Sequence, residues 1–128
     1  MPSIAELDAA LNQMICDGRH AEGFETFYHD DVEMQENDHP PVRGREANHI
    51  REQAFFDTLE HLAITLRCAA VHEEDGVSFA EWIYRARLKS GAERRWSQVH
   101  RRRWRDNLIV QERFFYEPAQ DTTTPHEA

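Results

Sequence analysis

The fold is decided by residues 93–116, which read ERRWSQVHRRRWRDNLIVQERFFY. Two segments in which side-chain character alternates with a period of two flank the pair Asp106-Asn107. Such a pair between two alternating segments is typical of a two-residue hairpin turn. The sequence therefore predicts a long strand over residues 93–105, a tight turn, and a final strand over residues 108–116.

The pattern of strands and turns continues upstream of this hairpin. Residues 62–73 and 77–89 predict two more strands, with a turn at Glu74-Asp75-Gly76 and another at residues 90–92. Together the four hairpin-linked strands predict a strongly curved antiparallel meander.

The first half of the chain is predicted to be mainly helical. Ser3 and Glu6 have the spacing of a capping box, and an apolar stripe follows as far as Ile15, before Gly18 ends the helix. A second short helix is predicted over residues 19–28 and a third over residues 45–59. The expected inward side of the third helix consists of Ala47, Ile50, Ala54 and Leu59.

A short strand is predicted at residues 32–36, where Val32, Met34 and Glu36 share one face. The order of elements predicts an α+β fold, a cone-shaped barrel with three N-terminal helices packed on a strongly curved antiparallel sheet. The open end of such a cone is a natural pocket for a small hydrophobic ligand. We expect one domain over residues 1–118 and a polar, disordered tail over residues 119–128.

Charge is unevenly distributed along the chain of 128 residues, whose formal net charge is -9. Residues 1–60 contain 14 acidic residues and 4 arginines, a net charge of -10, and the remainder is close to neutral. This acidic balance disfavours nucleic acid as a partner. No apolar run approaches the roughly 20 residues of a membrane helix, so we expect no membrane partner.

Cysteine and histidine spacing excludes several other classes of protein. Cys16 and Cys68 form no CxxC motif, and the first residues do not resemble a secretion signal, so we expect reduced thiols and a cytoplasmic location. The eight histidines are scattered without the spacing of metal ligands. We therefore expect neither a metal nor a cofactor.

Several segments resemble the SnoaL-like branch of the nuclear transport factor 2-like superfamily, which also contains ketosteroid isomerase and polyketide cyclases. They are FYHDDV (residues 27–32), MQEN (34–37), VRGREA (42–47), and the last hairpin with RWRDNLIV (103–110) and ERFFY (112–116). The resemblance spans roughly residues 4–118 and implies the cone fold. It leaves the activity open, because this superfamily contains both enzymes and non-enzymes.

Glu36 is the first candidate catalytic residue. Strand alternation places it on the inner face near the mouth of the cone, and the resemblance places it at the position of the catalytic Asp of ketosteroid isomerase. A carboxylate on an apolar wall is suited to remove an acidic proton from carbon. The alternative is that the strand frays here and Glu36 points into solvent.

His100 is the second candidate catalytic residue, on the inner face of the strand over residues 93–105. A histidine there can act as an acid or a base near neutral pH. The alternative is a core histidine paired with Glu81 or Glu112. SnoaL-like proteins often have an Asp at this position, so a cyclase mechanism that needs that Asp does not transfer to this chain.

Six further side chains are predicted to contact the substrate: Tyr84, Gln98, Arg102, Trp104, Glu112 and Phe114. Tyr84 would donate a phenolic hydrogen bond to an oxyanion, with Tyr28 or Tyr116 as the alternative donors. Glu112 would pair with His100 or Arg102 across the last hairpin, either within the site or as a structural ion pair. In SnoaL-like cyclases a His and an Asp usually occupy the equivalents of Glu112 and Phe114, and both positions depart from that pattern here.

Four arginines share the outer face of the same strand with Val99. They are Arg95, Arg101, Arg103 and Arg105. Guanidinium groups suit protein interfaces, and the outer sheet face commonly forms homodimers in this superfamily, so we expect a homodimer through it. The alternatives are ion pairs with acids across the strands and the binding of an anion.

The residues favour three functions. The first is a cofactor-independent isomerase or cyclase-type enzyme that uses acid–base chemistry on an apolar carbonyl substrate. The second is a non-catalytic module that binds a small hydrophobic ligand. The third is a dimeric accessory domain, or a protein that contacts nucleic acid through its arginine face.

Overall fold

A computed structural model describes residues 1–117 and the backbone of residues 120–121. The first elements are α1 (Ile4–Cys16), α2 (His20–Phe27), β1 (Tyr28–Glu36), β2 (Val42–Arg43) and α3 (Arg45–Phe56). The strands β3 (Leu59–His72), β4 (Val77–Leu88), β5 (Glu93–Arg105), β6 (Leu108–Tyr116) and β7 (Gln120–Asp121) follow. The predicted order of helices and strands is confirmed, and the structure adds the two short strands β2 and β7.

The strands form one sheet in the order β2-β1-β6-β5-β4-β3. The predicted antiparallel meander is confirmed for β3 to β6. The sheet as a whole is mixed, because β1 lies parallel to β6. Of the predicted tail, the structure describes the backbone of Gln120–Asp121, which pairs with β5 at Arg94 and Arg95. The rest of that prediction lies outside the described residues.

Helix α1 begins where the sequence predicted it. The Ser3 hydroxyl accepts a hydrogen bond from the Glu6 amide, and the Glu6 carboxylate accepts one from the Ser3 amide, which completes the capping box. The Glu73 carboxylate, in the turn after β3, accepts hydrogen bonds from the amides of Ile4 and Ala5. The free amides of the first turn therefore also anchor the helix to the sheet.

A β-bulge near the last turn decides which residues of β6 face the interior. Arg103 pairs with Gln111 while its neighbour Trp104 pairs with Ile109, so Val110 is the extra residue. Ile109 and Glu112 are consequently both buried, although strict alternation would place them on opposite faces. Similar register shifts interrupt β1 and β3, and such bulges bend the strands that contain them.

The apolar core lies between α1, α2, β1 and the halves of β5 and β6 nearest their turn. Its buried members are Leu11, Phe24, Phe27, Tyr28, Val32, Met34, Trp104 and Ile109. Trp104 packs edge-on against Phe27, with ring centroids 6.3 Å apart. The other halves of β5 and β6 are left to line a cavity.

The predicted inward side of α3 is wrong. Ala47, Ile50 and Ala54 are exposed, and Asn48 is instead completely buried. The Asn48 amide donates hydrogen bonds to the carbonyl oxygens of Val42 and Gly44, at 3.0 and 2.8 Å. With these two carbonyl groups satisfied, the side of the helix that carries Asn48 faces the sheet, and Ala47, Ile50 and Ala54 face solvent.

The replacement Ile109→Ala tests this account of the core. Ile109 is fully buried, so its truncation should lower the free energy of unfolding by about 2–5 kcal/mol. Ile50→Ala is the matched control, because Ile50 is 63% exposed and its truncation should change stability by less than about 0.5 kcal/mol. Urea unfolding of both variants measures the difference, and equal losses would contradict the placement of Ile109.

Candidate functional site

The helices and the inner face of the sheet enclose a cavity of about 540 Å³. This volume lies within the range of small-molecule sites. Its apolar wall includes Phe24, Phe55, Phe56, Leu59, Ile64 and Trp96. Polar side chains from α3, β1, β4, β5 and β6 complete the lining.

Seven of the eight predicted site residues line this cavity: Glu36, Tyr84, Gln98, His100, Arg102, Glu112 and Phe114. Trp104 is not among the lining residues. It is 7% exposed within the core, and its indole N–H donates to the Ser78 hydroxyl at 2.8 Å. The structure therefore gives Trp104 a place in the core rather than the predicted contact with substrate.

Arg102 is the centre of a buried network of charged and polar groups. Its Nε donates to Glu112 Oε2 at 2.9 Å, and its Nη1 donates to Asp8 Oδ1 at 2.9 Å and to Asn12 Oδ1 at 2.7 Å. The Tyr28 hydroxyl donates to Glu112 Oε1 at 2.6 Å. Burial opposes the charge, but Tyr28, Glu112 and Asp8 outweigh it and raise the pKa of Arg102, so the guanidinium stays charged.

His100 is held as a neutral ring with its proton on Nδ1. The Trp96 indole can only donate, and it donates to Gln98 Oε1 at 2.8 Å, which leaves the Gln98 amide nitrogen facing His100 Nε2 at 2.5 Å. Burial and then the charge of Arg102 hold the pKa of His100 well below its usual value. Glu112 Oε2 lies 3.8 Å from Nδ1, too far for a good hydrogen bond.

Four buried nitrogen atoms of residues that line the cavity have no hydrogen-bond partner among the described residues: His20 Nε2, Arg51 Nε, His100 Nδ1 and Arg102 Nη2. The last two belong to the most deeply buried of these residues, which are 4% and 1% exposed. A buried donor without a partner costs about 1–3 kcal/mol, so such donors on residues that line a cavity favour a ligand that brings an acceptor. A carbonyl oxygen, or an oxyanion formed from it, is an acceptor of this kind.

Tyr84 adds a third donor on the same wall. Its ring stacks on Trp96 with centroids 5.0 Å apart and an interplanar angle of 12°. Burial, and then the negative charge of Glu112, raise the pKa of Tyr84, so its hydroxyl keeps its proton at neutral pH. The aromatic pair also offers a flat surface for a planar ligand.

Glu36 lines the cavity, but the wall around it is polar rather than apolar as predicted. Arg51 Nη1 bonds one of its carboxylate oxygens and the Tyr116 hydroxyl bonds the other. The side chain is 33% exposed. Burial, followed by the hydrogen bond to Glu36, raises the pKa of Tyr116 to about 12, so the phenol is the donor in this pair.

Glu52 is a site residue that the sequence prediction missed. It lines the cavity from α3, is partly buried, and has no hydrogen bond to any of the described residues. Burial, and then the charge of Glu112, raise the pKa of Glu52 to about 7 against the opposing effect of Arg51. The available signal was the polar stripe of Asn48, Arg51 and Glu52 at helical spacing, which the apolar pattern of the same helix outweighed.

Residues 1–117 contain no helix that is both long and apolar enough to cross a membrane. Over the same residues, no three His, Cys, Asp or Glu side chains come together in a group that could hold a metal ion. Cys16 and Cys68 are both exposed free thiols.

The chain belongs to the SnoaL-like domain family, whose model matches residues 7–112. None of the curated protein sequences that were compared with it matches. The predicted resemblance to SnoaL-like proteins is therefore confirmed.

Solved structures share the fold at low sequence identity. A proposed SnoaL-like polyketide cyclase of Mesorhizobium loti is 18% identical, with a TM-score of 0.78 over 90% of this chain and 100% of that one. TerC, which was co-crystallised with polyporic acid, is 15% identical, with a TM-score of 0.73 over 89% and 91% of the two chains. A nuclear transport factor 2-like protein of unknown function from Burkholderia pseudomallei is 10% identical, with a TM-score of 0.77 over 91% and 92%.

The variant Arg102→Leu tests the buried network. It would leave Asp8 and Glu112 as buried carboxylates without their cation, so the free energy of unfolding should fall by about 3–5 kcal/mol. Arg103→Leu is the matched control on the exposed side of the same strand and should change stability by less than about 0.5 kcal/mol. Chemical unfolding distinguishes the two, and similar losses would contradict the network's importance.

Proposed function

We propose that the protein is a cofactor-independent enzyme that moves a proton on an apolar carbonyl compound, in chemistry of the isomerase or cyclase type. The observation that carries this proposal is that two residues lining the cavity, His100 and Arg102, each have a buried donor without a partner among the described residues, Nδ1 and Nη2. Donors aimed at developing negative charge on oxygen are the main source of catalysis in reactions of this type.

The cavity supports a substrate with a flat apolar body and one polar end. The flat apolar body would pack against the stacked rings of Tyr84 and Trp96 and against the phenylalanines near the end of α3. The buried donors favour the carbonyl oxygen. The family resemblance adds support, because similar folds include a proposed SnoaL-like polyketide cyclase and a protein co-crystallised with polyporic acid.

The reaction needs a carboxylate within reach of the carbon next to the carbonyl. That carboxylate takes the proton, the C–H electron pair moves to the carbonyl oxygen, and the donors of His100 and Arg102 stabilise the resulting enolate. Return of the proton to another carbon gives the isomer, and attack of the enolate carbon on a second carbonyl closes a ring. Glu36 and Glu52 are the carboxyl groups of the cavity that are not bonded to Arg102.

Hydrogen exchange in D2O tests this function without knowledge of the substrate. Cyclic enones and aryl alkyl ketones should exchange the protons next to their carbonyl group at least about 100-fold faster with the protein than in buffer. His100→Phe should lower that rate by about 100-fold because it removes one oxyanion donor. Glu36→Gln tests the predicted base, and Arg103→Gln serves as a control. NMR measures the exchange.

The alternative is a non-catalytic module that binds a small hydrophobic ligand in the same cavity. Binding of these ketones without exchange at any position would support it and contradict the enzyme proposal. In that case Glu36→Gln would change affinity only. Native mass spectrometry of the purified protein would then identify a ligand by its mass.

We also propose a cytoplasmic protein that forms a homodimer through its outer sheet face. Exposed free thiols fit a reducing compartment. Phe79, Val99 and Phe115 lie on adjacent strands of that face and form an outer apolar patch, each at least 36% exposed. Arg113 lies over the Phe115 ring, 4.6 Å from its centroid, so aromatic and guanidinium groups meet as they do in protein interfaces.

Sedimentation velocity tests the dimer. Val99→Asp should convert the protein to a monomer, because it places a carboxylate in the middle of the outer apolar patch. Ile50→Asp introduces the same charge on the exposed side of α3 and should leave the dimer intact. A wild-type monomer at micromolar concentration, or a dimer that survives Val99→Asp, would contradict the proposed interface.

A further inference from the structure

Glu36 and Glu52 line one cavity, but their surroundings differ. Arg51 donates one hydrogen bond from Nη1 to the Glu36 carboxylate. It donates another from Nη2 to Asn48 Oδ1, at 3.1 Å. Because Asn48 is fully buried and bonded to the backbone, it holds the guanidinium in place. Tyr116 donates to the other oxygen of Glu36. The Glu36 carboxylate is therefore neutralised and engaged at both oxygens.

Glu52 follows Arg51 on the same helix and has none of these partners. No hydrogen bond or ion pair joins its carboxyl group to the described residues, and the side chain is only partly exposed. A proton-transfer group must be free to bond the substrate proton and must change its charge at small cost. Of the two carboxyl groups, Glu52 has neither oxygen bonded to the described residues, whereas each oxygen of Glu36 already accepts a hydrogen bond.

We infer that Glu52 is the residue that takes the proton from the substrate carbon and returns it, and that the Arg51–Glu36 pair positions α3 for this step. The inference rests on the proposed function and assigns its proton carrier. The Glu52 carboxylate forms an O–H bond as the substrate C–H bond breaks. The electron pair moves onto the carbonyl oxygen beside His100 and Arg102. The enzyme then holds a neutral Glu52 and an enolate, and the reverse transfer restores the carboxylate.

Other charged and titratable groups face Glu52 across the cavity. The carboxylates are Glu36 on β1 and Glu112 on β6, and the cations are Arg51 on α3 with Arg94 and Arg102 on β5. The remaining titratable groups are His20, Tyr28, Tyr84, His100 and Tyr116.

Burial lowers the pKa of both histidines, so they are neutral at and above neutral pH. Burial raises the pKa of all three phenols, which stay protonated over the same range. Burial, and then the charge of Glu112, raise the pKa of Glu52 to about 7, and its carboxyl group has no hydrogen bond to the described residues. Its carboxyl group is therefore the one expected to gain a proton when an oxyanion enters the cavity.

Binding of 2,4-dinitrophenolate tests the inference, because this ion keeps its charge across the pH range and resembles an enolate in the cavity. Titration calorimetry at about pH 8, in buffers of different ionisation enthalpy, should show uptake of about one proton on binding to the wild type. Affinity should fall about tenfold between about pH 6 and about pH 8, as Glu52 loses its proton and repels the anion.

Glu52→Gln should abolish the proton uptake and hold the affinity within about twofold across this range, because the amide does not titrate. Glu46→Gln is the matched control, an exposed glutamate of the same helix, and it should keep the wild-type proton uptake. A melting curve for each variant confirms that it is folded.

The outcomes separate this inference from the proposed function. Failure of 2,4-dinitrophenolate to bind at any pH would overturn the oxyanion site, and the inference with it. Binding to the wild type without proton uptake would overturn the role of Glu52 and leave the oxyanion site standing. Proton uptake that persists in Glu52→Gln would assign the proton to another group and overturn the inference too.

Discussion

The structure depends on a single buried positive charge. Arg102 of β5 contacts Asp8 of α1 and Glu112 of β6, so one guanidinium joins the first helix to the last two long strands. Removing these three charges from water is unfavourable, and the arrangement persists because Asn12, Ser78 and Tyr28 supply further hydrogen bonds to them. Nε and Nη1 are both used in these hydrogen bonds. Nη2 has no hydrogen-bond partner among the described residues, and Arg102 lines the cavity. Stability and candidate chemistry thus arise from the same side chain.

The cavity keeps its charges in two separate groups. Towards the core, Arg102 lies between two carboxylates and stays ionised. Around the end of β1, Arg51 neutralises Glu36, while Glu52 lines the same cavity and has no hydrogen bond or ion pair to the described residues. A carboxyl group in this position responds to any new charge that enters the cavity, because no nearby cation is bonded to it. This separation, rather than the number of acidic residues, makes one carboxyl group chemically distinct from its neighbours.

The elements that depend on a local pattern were predictable from the sequence. Alternation along β5 correctly separated the buried His100 and Arg102 from the outward arginines, and the capping box at Ser3 correctly started α1. Features that depend on distant partners were not predictable. The parallel pairing of β1 with β6 joins segments far apart in the chain, and the bulge at Val110 breaks the period of two. In α3 the side facing the sheet was decided by Asn48 and two backbone carbonyl groups, which outweighed the apolar residues. That misplaced helix face is why Glu52 was not among the predicted site residues.

The indole of Trp96 has an effect beyond its place in the apolar wall. Because an indole N–H can only donate, it sets the orientation of the Gln98 amide, and the amide in turn decides which nitrogen of His100 holds the proton. One residue therefore both contributes to the cavity wall and sets the tautomer of the histidine in it. Replacing Trp96 with Phe would keep an aromatic side chain in the cavity wall but remove the indole N–H. The Gln98 amide would then be free to rotate, and His100 would no longer be restricted to the tautomer with its proton on Nδ1. A substitution of Trp96 that reshapes the cavity for another ligand would therefore also alter the chemistry of the site.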